Sequence, residues 1–121
     1  MSIVLWVFAS LLALAFLAAG SVKLFRPRVA LLADPRMGWA IEFSDAQVKL
    51  IGLAEVLGAI GLIAPAALGA QPLLGPIAAV ALAVLMTGAV FTHVRRGESP
   101  VPAGVLATVS LVVAVLFYLA A

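Results

Sequence analysis

Apolar residues fill four long runs of the chain, and the stretches between those runs carry most of the charged residues. A run of about 20 apolar residues crosses the ~30 Å hydrocarbon core of a bilayer, because a helix rises about 1.5 Å per residue. The pattern therefore predicts four membrane-spanning helices in a single domain over residues 1–121. The spans are expected at about 3–25, 46–65, 73–94 and 101–121, with an interfacial segment at 26–45.

Mostly short connections join these spans, so neighbouring spans should run antiparallel. The expected fold is an all-α membrane protein, an antiparallel bundle of four transmembrane helices. Pro27 ends the first span, and Ser44 or Asp45 is a suitable N-cap for the second. The segment 26–45 holds half of the charged residues and interleaves them with apolar ones, which is typical of a segment at the membrane surface. Its sequence does not decide whether it is helical.

Composition supports a membrane protein and narrows its chemistry. The chain is 66% hydrophobic and 10% charged, whereas a soluble domain averages roughly 45–50% apolar and about 25% charged residues. It has no cysteine and one histidine, which excludes disulfides, thiolate sites and any metal or bis-histidine haem site within one chain. We expect no catalytic residue, no metal and no covalent cofactor, and we lean against an enzyme acting on its own.

The basic residues are distributed unevenly. All seven lysines and arginines lie at or beside the connections after the first and third spans, and the net charge of +2 is too small to indicate nucleic acid. The positive-inside rule predicts that the connections 26–45 and 95–100 are cytoplasmic and that both termini are outside. The residues expected to set this topology and to contact lipid headgroups are Arg26, Arg28, Arg95 and Arg96.

A single carboxylate, Glu55, is predicted near the bilayer midplane, about 15 Å along the second span. An ionisable group there costs about 2.5 kcal/mol or more, so it needs a partner or a task. The expected ligand-binding or proton site is a polar cluster with Gln47 or Lys49 at its mouth. Its members are Glu55, Lys23, Thr87 and His93. The sequence leaves two hypotheses open: a structural clamp that fixes helix order, and a site for a ligand or a proton.

Small residues should allow the helices to approach closely, because helix association in lipid depends on packing and polar contacts. The residues expected at these helix contacts are Gly20, Gly52, Gly58 and Gly88. The same faces favour a homodimer, although the sequence does not fix the oligomeric state.

Three motifs resemble those of the DoxX-like family of small four-helix membrane proteins, and the likeness runs over all four spans. They are the end of the first span at 19–27, the Gly-x-x-Glu-x-x-Gly core at 52–58 and the His-x-Arg-Arg-Gly-Glu sequence at 93–98. The first motif is looser here, because two residues separate its glycine from its lysine. The resemblance implies a bacterial inner-membrane protein. Relatives are described as quinone-linked subunits, as membrane partners of oxidative-stress enzymes and, more distantly, as assembly chaperones.

These observations support two hypotheses on function. The first is a membrane module that binds an isoprenoid quinone, a lipid or a partner protein through a polar pocket around Glu55. Since the chain has no redox centre of its own, electron transfer would need the bound quinone or a membrane or peripheral redox enzyme. The alternative is a proton-coupled small-molecule transporter acting as a dimer. Small multidrug transporters share the size, but they carry their membrane carboxylate in the first span.

Overall fold

A computed structural model of the chain describes residues 2–120. Within this range, four helices are long and apolar enough to cross a membrane, and the chain is an all-α, multi-pass membrane protein. These helices are α1 (Ile3–Phe25), α3 (Asp45–Ala67), α4 (Leu74–Arg95) and α5 (Val101–Ala120). Between α1 and α3 lie a short helix, α2 (Arg28–Ala33), and a 3₁₀ helix (Pro35–Glu42).

The predicted spans agree with the observed helices to within one or two residues. The second span was expected to end at Pro65, but α3 continues to Ala67, because a proline near a helix C-terminus removes only one backbone donor. Residue 121, the expected end of the fourth span, lies outside the described residues. The segment 26–45, whose conformation the sequence left open, forms two short helices with a bend between them.

The start of α3 is fixed by a capping box. The Ser44 hydroxyl accepts a hydrogen bond from the Gln47 backbone N–H at 3.1 Å, and the Gln47 side chain accepts one from the Ser44 N–H at 2.9 Å. Ser44 is therefore the N-cap, and Asp45 is the first helical residue. Because its side chain is used in this cap, Gln47 lies at the surface rather than at the mouth of a polar site.

The four long helices pack in a ring in which consecutive spans are neighbours and α5 returns to α1. The chain runs up and down through this ring. One end of the bundle, which we call the basic end, therefore holds the segment 26–45 and the turn 96–100. The other end, which we call the termini end, holds the described ends of α1 and α5 and the connection between α3 and α4.

The hydrophobic core occupies the half of the bundle nearest the termini end. Its largest fully buried members come from all four spans; they include Leu5, Phe16, Leu62, Leu82 and Val113. Toward the basic end, a smaller cluster around Leu31, Ala40 and Val48 fixes the segment 26–45 against the bundle. Most of the basic half of the bundle therefore lies outside this core.

Two glycines set the contact between α1 and α3. A Cβ placed on Gly20 would lie 2.6 Å from the Gly52 carbonyl oxygen, and one placed on Gly52 would lie 2.8 Å from the Gly20 carbonyl oxygen. The two backbones thus touch, as close helix packing in lipid requires. Gly58 faces the Leu82 side chain on α4 at a similar distance, whereas a Cβ on Gly88 would meet nothing within 4 Å.

Candidate binding site

A buried ion pair joins α1 and α3 beside the glycine contact. The Lys23 Nζ atom lies 2.6 Å from Glu55 Oε1, and the two side chains are 11% and 1% exposed. The ammonium group is in direct contact with this one carboxylate oxygen, and a carboxylate has about four acceptor positions on its two oxygens. The pair neutralises the carboxylate electrostatically and leaves it with unused acceptor capacity.

This ion pair forms part of the wall of a cavity of about 380 Å³ in the basic half of the bundle. All four spans contribute to the wall, most of which is apolar. Besides Lys23 and Glu55, its polar groups are Thr92, His93 and the Trp39 ring. The cavity is far larger than the ~30 Å³ that one water molecule occupies in the liquid, and its volume falls within the usual range for small-molecule sites.

The segment 35–43, which we call the lid, covers the cavity at the basic end. Trp39 and Phe43 both line the cavity, and their rings meet edge to face with centroids 5.7 Å apart. The Lys23 Nζ atom lies 5.8 Å from the centre of the Trp39 ring, within reach of a cation–π interaction. The lid therefore supplies aromatic surface next to the buried charges.

Ion pairs hold the lid to the end of α4. The Glu42 carboxylate contacts Arg95 Nη2 at 2.6 Å and Arg96 Nη1 at 2.7 Å. Arg96 also contacts Glu98 at 3.1 Å, and Glu98 contacts the His93 ring nitrogen Nδ1 at 3.1 Å. Since His93 lines the cavity, this network connects the cavity wall with the lid.

Hydrogen bonds within the network lower the pKa values of both carboxyl groups. The Arg96 guanidinium is the main cause for Glu42, with Arg95 adding to it, and the bond with His93 is the main cause for Glu98. Both groups therefore remain ionised at neutral pH and keep their ion pairs.

The structure places three of the four predicted polar-cluster residues at the cavity. Lys23, Glu55 and His93 line it. Thr87 does not, because it lies on an exposed face of α4, where its hydroxyl donates to the Ala83 carbonyl at 2.7 Å. Thr92, which the sequence analysis did not select, lies in the wall instead.

Lys49 does not lie at the mouth of the cavity. Its ammonium group donates to the carbonyl oxygens of Lys23 and Arg26, at 2.7 and 2.6 Å. These carbonyls belong to the end of α1, where a helix leaves acceptors unpaired and favours positive charge. Lys49 thus holds the last turn of α1, and with it Lys23, against α3.

The arginines after α1 contact the connecting segment. Arg26 lies 3.7 Å from the Asp34 carboxylate, and Arg28 donates to the Ala40 carbonyl at 3.4 Å. Asp34 also pairs with Arg36 at 3.2 Å, and the hydrogen bonds from Arg36 are the main reason why its pKa is lowered. These contacts fix the path of the chain from α1 into the lid.

Sequence reasoning missed the lid and the position of Gly88. The alternation of aromatic with polar or small residues around Trp39 and Phe43 is visible in the sequence and indicates a surface segment. Nothing in the sequence indicates that these two rings lie near Glu55. Gly88 was expected at a helix contact, whereas it is exposed and lies at the cavity wall. The pairing of Glu42 with Arg95 and Arg96 joins residues more than 50 positions apart and has no local signature.

Comparison with known proteins identifies the family. No curated protein and no solved structure matches the chain. The family model of the DoxX-like family matches residues 7–118, which include all of α3 and α4 and most of α1 and α5. The chain therefore belongs to the DoxX-like family.

Proposed function

We propose that this protein binds a membrane amphiphile, an isoprenoid quinone or a lipid, with the polar headgroup held against Lys23 and Glu55. In this proposal the protein is not an enzyme by itself. It is a subunit of a membrane redox or stress process, in which a membrane or peripheral redox enzyme performs the chemistry. Its expected location is the bacterial inner membrane with the basic end in the cytoplasm, which the positive-inside rule supports.

The observation that carries the proposal is the position of the ion pair at the wall of a cavity. A pair that only clamps two helices would be most stable when it is packed on all sides, because every void beside it loses contacts. Here an apolar cavity of about 380 Å³ opens beside the two charges. Buried charges next to an apolar space are the arrangement expected for a small-molecule site with a few orienting polar groups.

The chemistry of the wall suits a headgroup that is polar and uncharged overall. The Lys23 ammonium can donate to a carbonyl oxygen, and the Glu55 carboxylate can accept from a hydroxyl group. The Thr92 hydroxyl already donates to the Gly88 carbonyl at 3.1 Å, so it can act toward a ligand as an acceptor. Trp39 offers a flat face for a ring. A quinone or quinol headgroup, or the ester and hydroxyl groups of a lipid, would satisfy these groups.

The transporter alternative is less well supported. A carboxylate that exchanges protons during transport has to lose and regain its charge, and each cycle would have to open the 2.6 Å ion pair that joins Glu55 to Lys23. The two hypotheses also differ in what Glu55→Gln should do. A transporter would lose proton coupling, whereas a binding module would lose its ligand.

Fluorescence of Trp39 tests the proposal, since its ring lines the cavity. Trp6, the other tryptophan of the chain, is first replaced by Phe. A short-chain isoprenyl benzoquinone and a brominated phospholipid are then titrated separately into the protein in lipid nanodiscs, because both quench indole emission. We expect saturable quenching by one of them, and its loss in Glu55→Gln.

A matched pair of glycine variants provides the control. A Cβ on either Gly88 or Gly104 meets nothing within 4 Å, but only Gly88 lines the cavity. Gly88→Leu should therefore abolish saturable quenching, and Gly104→Leu should preserve it. Quenching by both probes that rises linearly and equally in all variants would show that Trp39 meets them only in the surrounding lipid, and would contradict the proposal.

A further inference from the structure

The cavity is bounded differently at the basic end and at the side of the bundle. At the basic end, the lid covers it with Trp39 and Phe43, and two arginines hold Glu42 in place. A solute that came from the water at this end would have to displace the lid and break those ion pairs. Among the described residues, no ion pair joins α3 to α4 along the side of the bundle.

Helices α3 and α4 make their close contacts in the half nearest the termini end. A Cβ added to Gly58 would lie 2.6 Å from the Leu82 side chain, and one added to Gly61 would lie 3.0 Å from the Ala78 Cβ. Toward the basic end, the residues that flank the gap between the two helices all line the cavity. They are Ile51 and Glu55 on α3, and Leu85, Gly88 and Thr92 on α4.

Among the residues that line the cavity, Gly88 is the one without a side chain. It is exposed, and a Cβ at its position would meet no atom within 4 Å. Next to it, Leu85 lines both the cavity and a second groove of about 490 Å³ between α3 and α4, which is lined by apolar residues. Apolar surface therefore continues from the cavity to the side of the bundle that faces lipid.

From this geometry we infer that the ligand reaches the cavity from the bilayer, through the gap between α3 and α4 at Gly88, while the lid closes the cavity to water. The inference rests on the proposed function and narrows it. The ligand is then a molecule dissolved in the membrane, which presents its headgroup through the gap, and not a water-soluble metabolite.

A single reporter cysteine tests the route without any ligand. The chain contains no cysteine, so Ala103→Cys, in the α5 wall of the cavity, places one thiol there. The protein is placed in lipid nanodiscs, where both aqueous faces are accessible. The labelling rate of this cysteine is measured with a neutral, membrane-soluble maleimide and with a permanently charged thiosulfonate. Each rate is divided by the rate at which the same reagent labels a free thiol in solution. We expect this relative rate to be much higher for the neutral reagent than for the charged one.

Blocking the gap should slow the neutral reagent. Gly88→Trp fills the open position at the side wall, and Gly88→Leu is a smaller version if the tryptophan disturbs folding, which circular dichroism checks. Both should lower the rate of the neutral reagent several-fold. Thr87→Trp is the matched control, because Thr87 is the exposed neighbour of Gly88 and lies outside the cavity wall. It should leave the rate unchanged.

Releasing the lid should admit the charged reagent. Glu42→Gln weakens the two ion pairs that hold the lid near the surface. We therefore expect the labelling rate of the charged reagent to rise between about twofold and thirtyfold. Asp45→Asn, which neutralises an exposed carboxylate at the same end of the bundle, should not change it. Equal relative rates of both reagents in the parent protein, or a neutral rate that neither Gly88 variant lowers, would overturn the inference. Because labelling requires no ligand, that outcome is distinct from a failed fluorescence titration.

Discussion

The ion pair between Lys23 and Glu55 makes the most demanding prediction on stability. Replacing Glu55 alone by Leu should destabilise the protein strongly, because the Lys23 ammonium is then left unpaired at a site where the residue is only 8% exposed. Replacing Lys23 by Met in the same protein should restore most of the loss. Leu and Met are close in volume to the side chains they replace, so the double variant has no unpaired charge and a filled core.

The magnitude follows from the burial of the two groups. Removing one partner of a buried ion pair costs about 3–5 kcal/mol, and replacing both by apolar residues is often neutral or stabilising. Lys23 can turn part of its length toward the basic end and water, which moves the expected cost of Glu55→Leu to about 3 kcal/mol. The free energy of unfolding of the double variant should lie within about 1 kcal/mol of that of the parent protein. Because Lys23→Met alone should also destabilise the protein, the coupling energy between the two residues is then about 2 kcal/mol or more.

Unfolding by sodium dodecyl sulfate in mixed micelles, followed by circular dichroism, measures these free energies. Arg95→Gln provides a control for an ion pair in water, because its side chain is 66% exposed, and it should cost less than about 1 kcal/mol. If the effects of Glu55→Leu and Lys23→Met add to within about 0.5 kcal/mol, the two groups are not coupled, and the interpretation of the contact as an ion pair is wrong.

Three further predictions concern the parts of the bundle around the pair. Gly52→Ala should destabilise the protein by about 1–3 kcal/mol, because its new methyl group meets the Gly20 carbonyl. Gly88→Ala should be neutral or stabilising by up to about 1 kcal/mol. The same unfolding assay measures the free energy of unfolding of both variants. Equal destabilisation by Gly52→Ala and Gly88→Ala would refute the close contact of α1 with α3. Lys49→Met should lower the free energy of unfolding by about 1–2 kcal/mol, because it removes two hydrogen bonds to the end of α1. Backbone amides at residues 22–26 should then exchange hydrogen faster, and unchanged exchange there would contradict this prediction. The ion pairs that hold the lid through Glu42 should weaken only in acid, because the pKa of Glu42 is depressed in the folded protein. Their contribution is complete above the ordinary carboxyl pKa of 4.5 and is lost as the pH falls below it. Trp39 emission in a Trp6→Phe protein should report this transition, and Glu42→Gln should remove most of it.

The spans could be predicted from the sequence because the bilayer fixes their length. Apolar runs of sufficient length, ended by Pro27 and by the Ser44 cap, left little freedom in the bounds of the helices. The pairing of Glu55 with Lys23 could also be predicted, because a carboxylate deep in a span needs a partner and Lys23 lies at a compatible depth.

The rotation of α4 could not be predicted. Its residues are apolar on every side of the helix, so the sequence gives no preferred inward face. Thr87 and Thr92 were therefore indistinguishable as candidates, and the structure turns Thr92 to the cavity and Thr87 outward. Gly88 was misplaced for the same reason. A glycine in such a helix can lie at a close contact with another helix or at an open part of a cavity wall. Which of the two occurs depends on the position of the neighbouring helix.

The lid could not be predicted because its contacts are formed by distant parts of the chain. Glu42 pairs with Arg95 and Arg96, which lie more than 50 positions further along the chain. The aromatic residues at 39 and 43 were expected at the membrane surface, as their spacing indicates. Their position over Lys23 depends on the small cluster around Leu31, Ala40 and Val48, which draws the lid inward.

The most direct test of the central claim is native mass spectrometry of the gently extracted protein. The parent protein is compared with Glu55→Gln, with Gly88→Leu and with Gly104→Leu as the control. The account predicts that a quinone or a lipid stays bound to the parent protein and to Gly104→Leu and is lost from the other two. A parent protein that carries no bound molecule, or a bound molecule that both Glu55→Gln and Gly88→Leu retain, would contradict a ligand site at the Lys23–Glu55 pair.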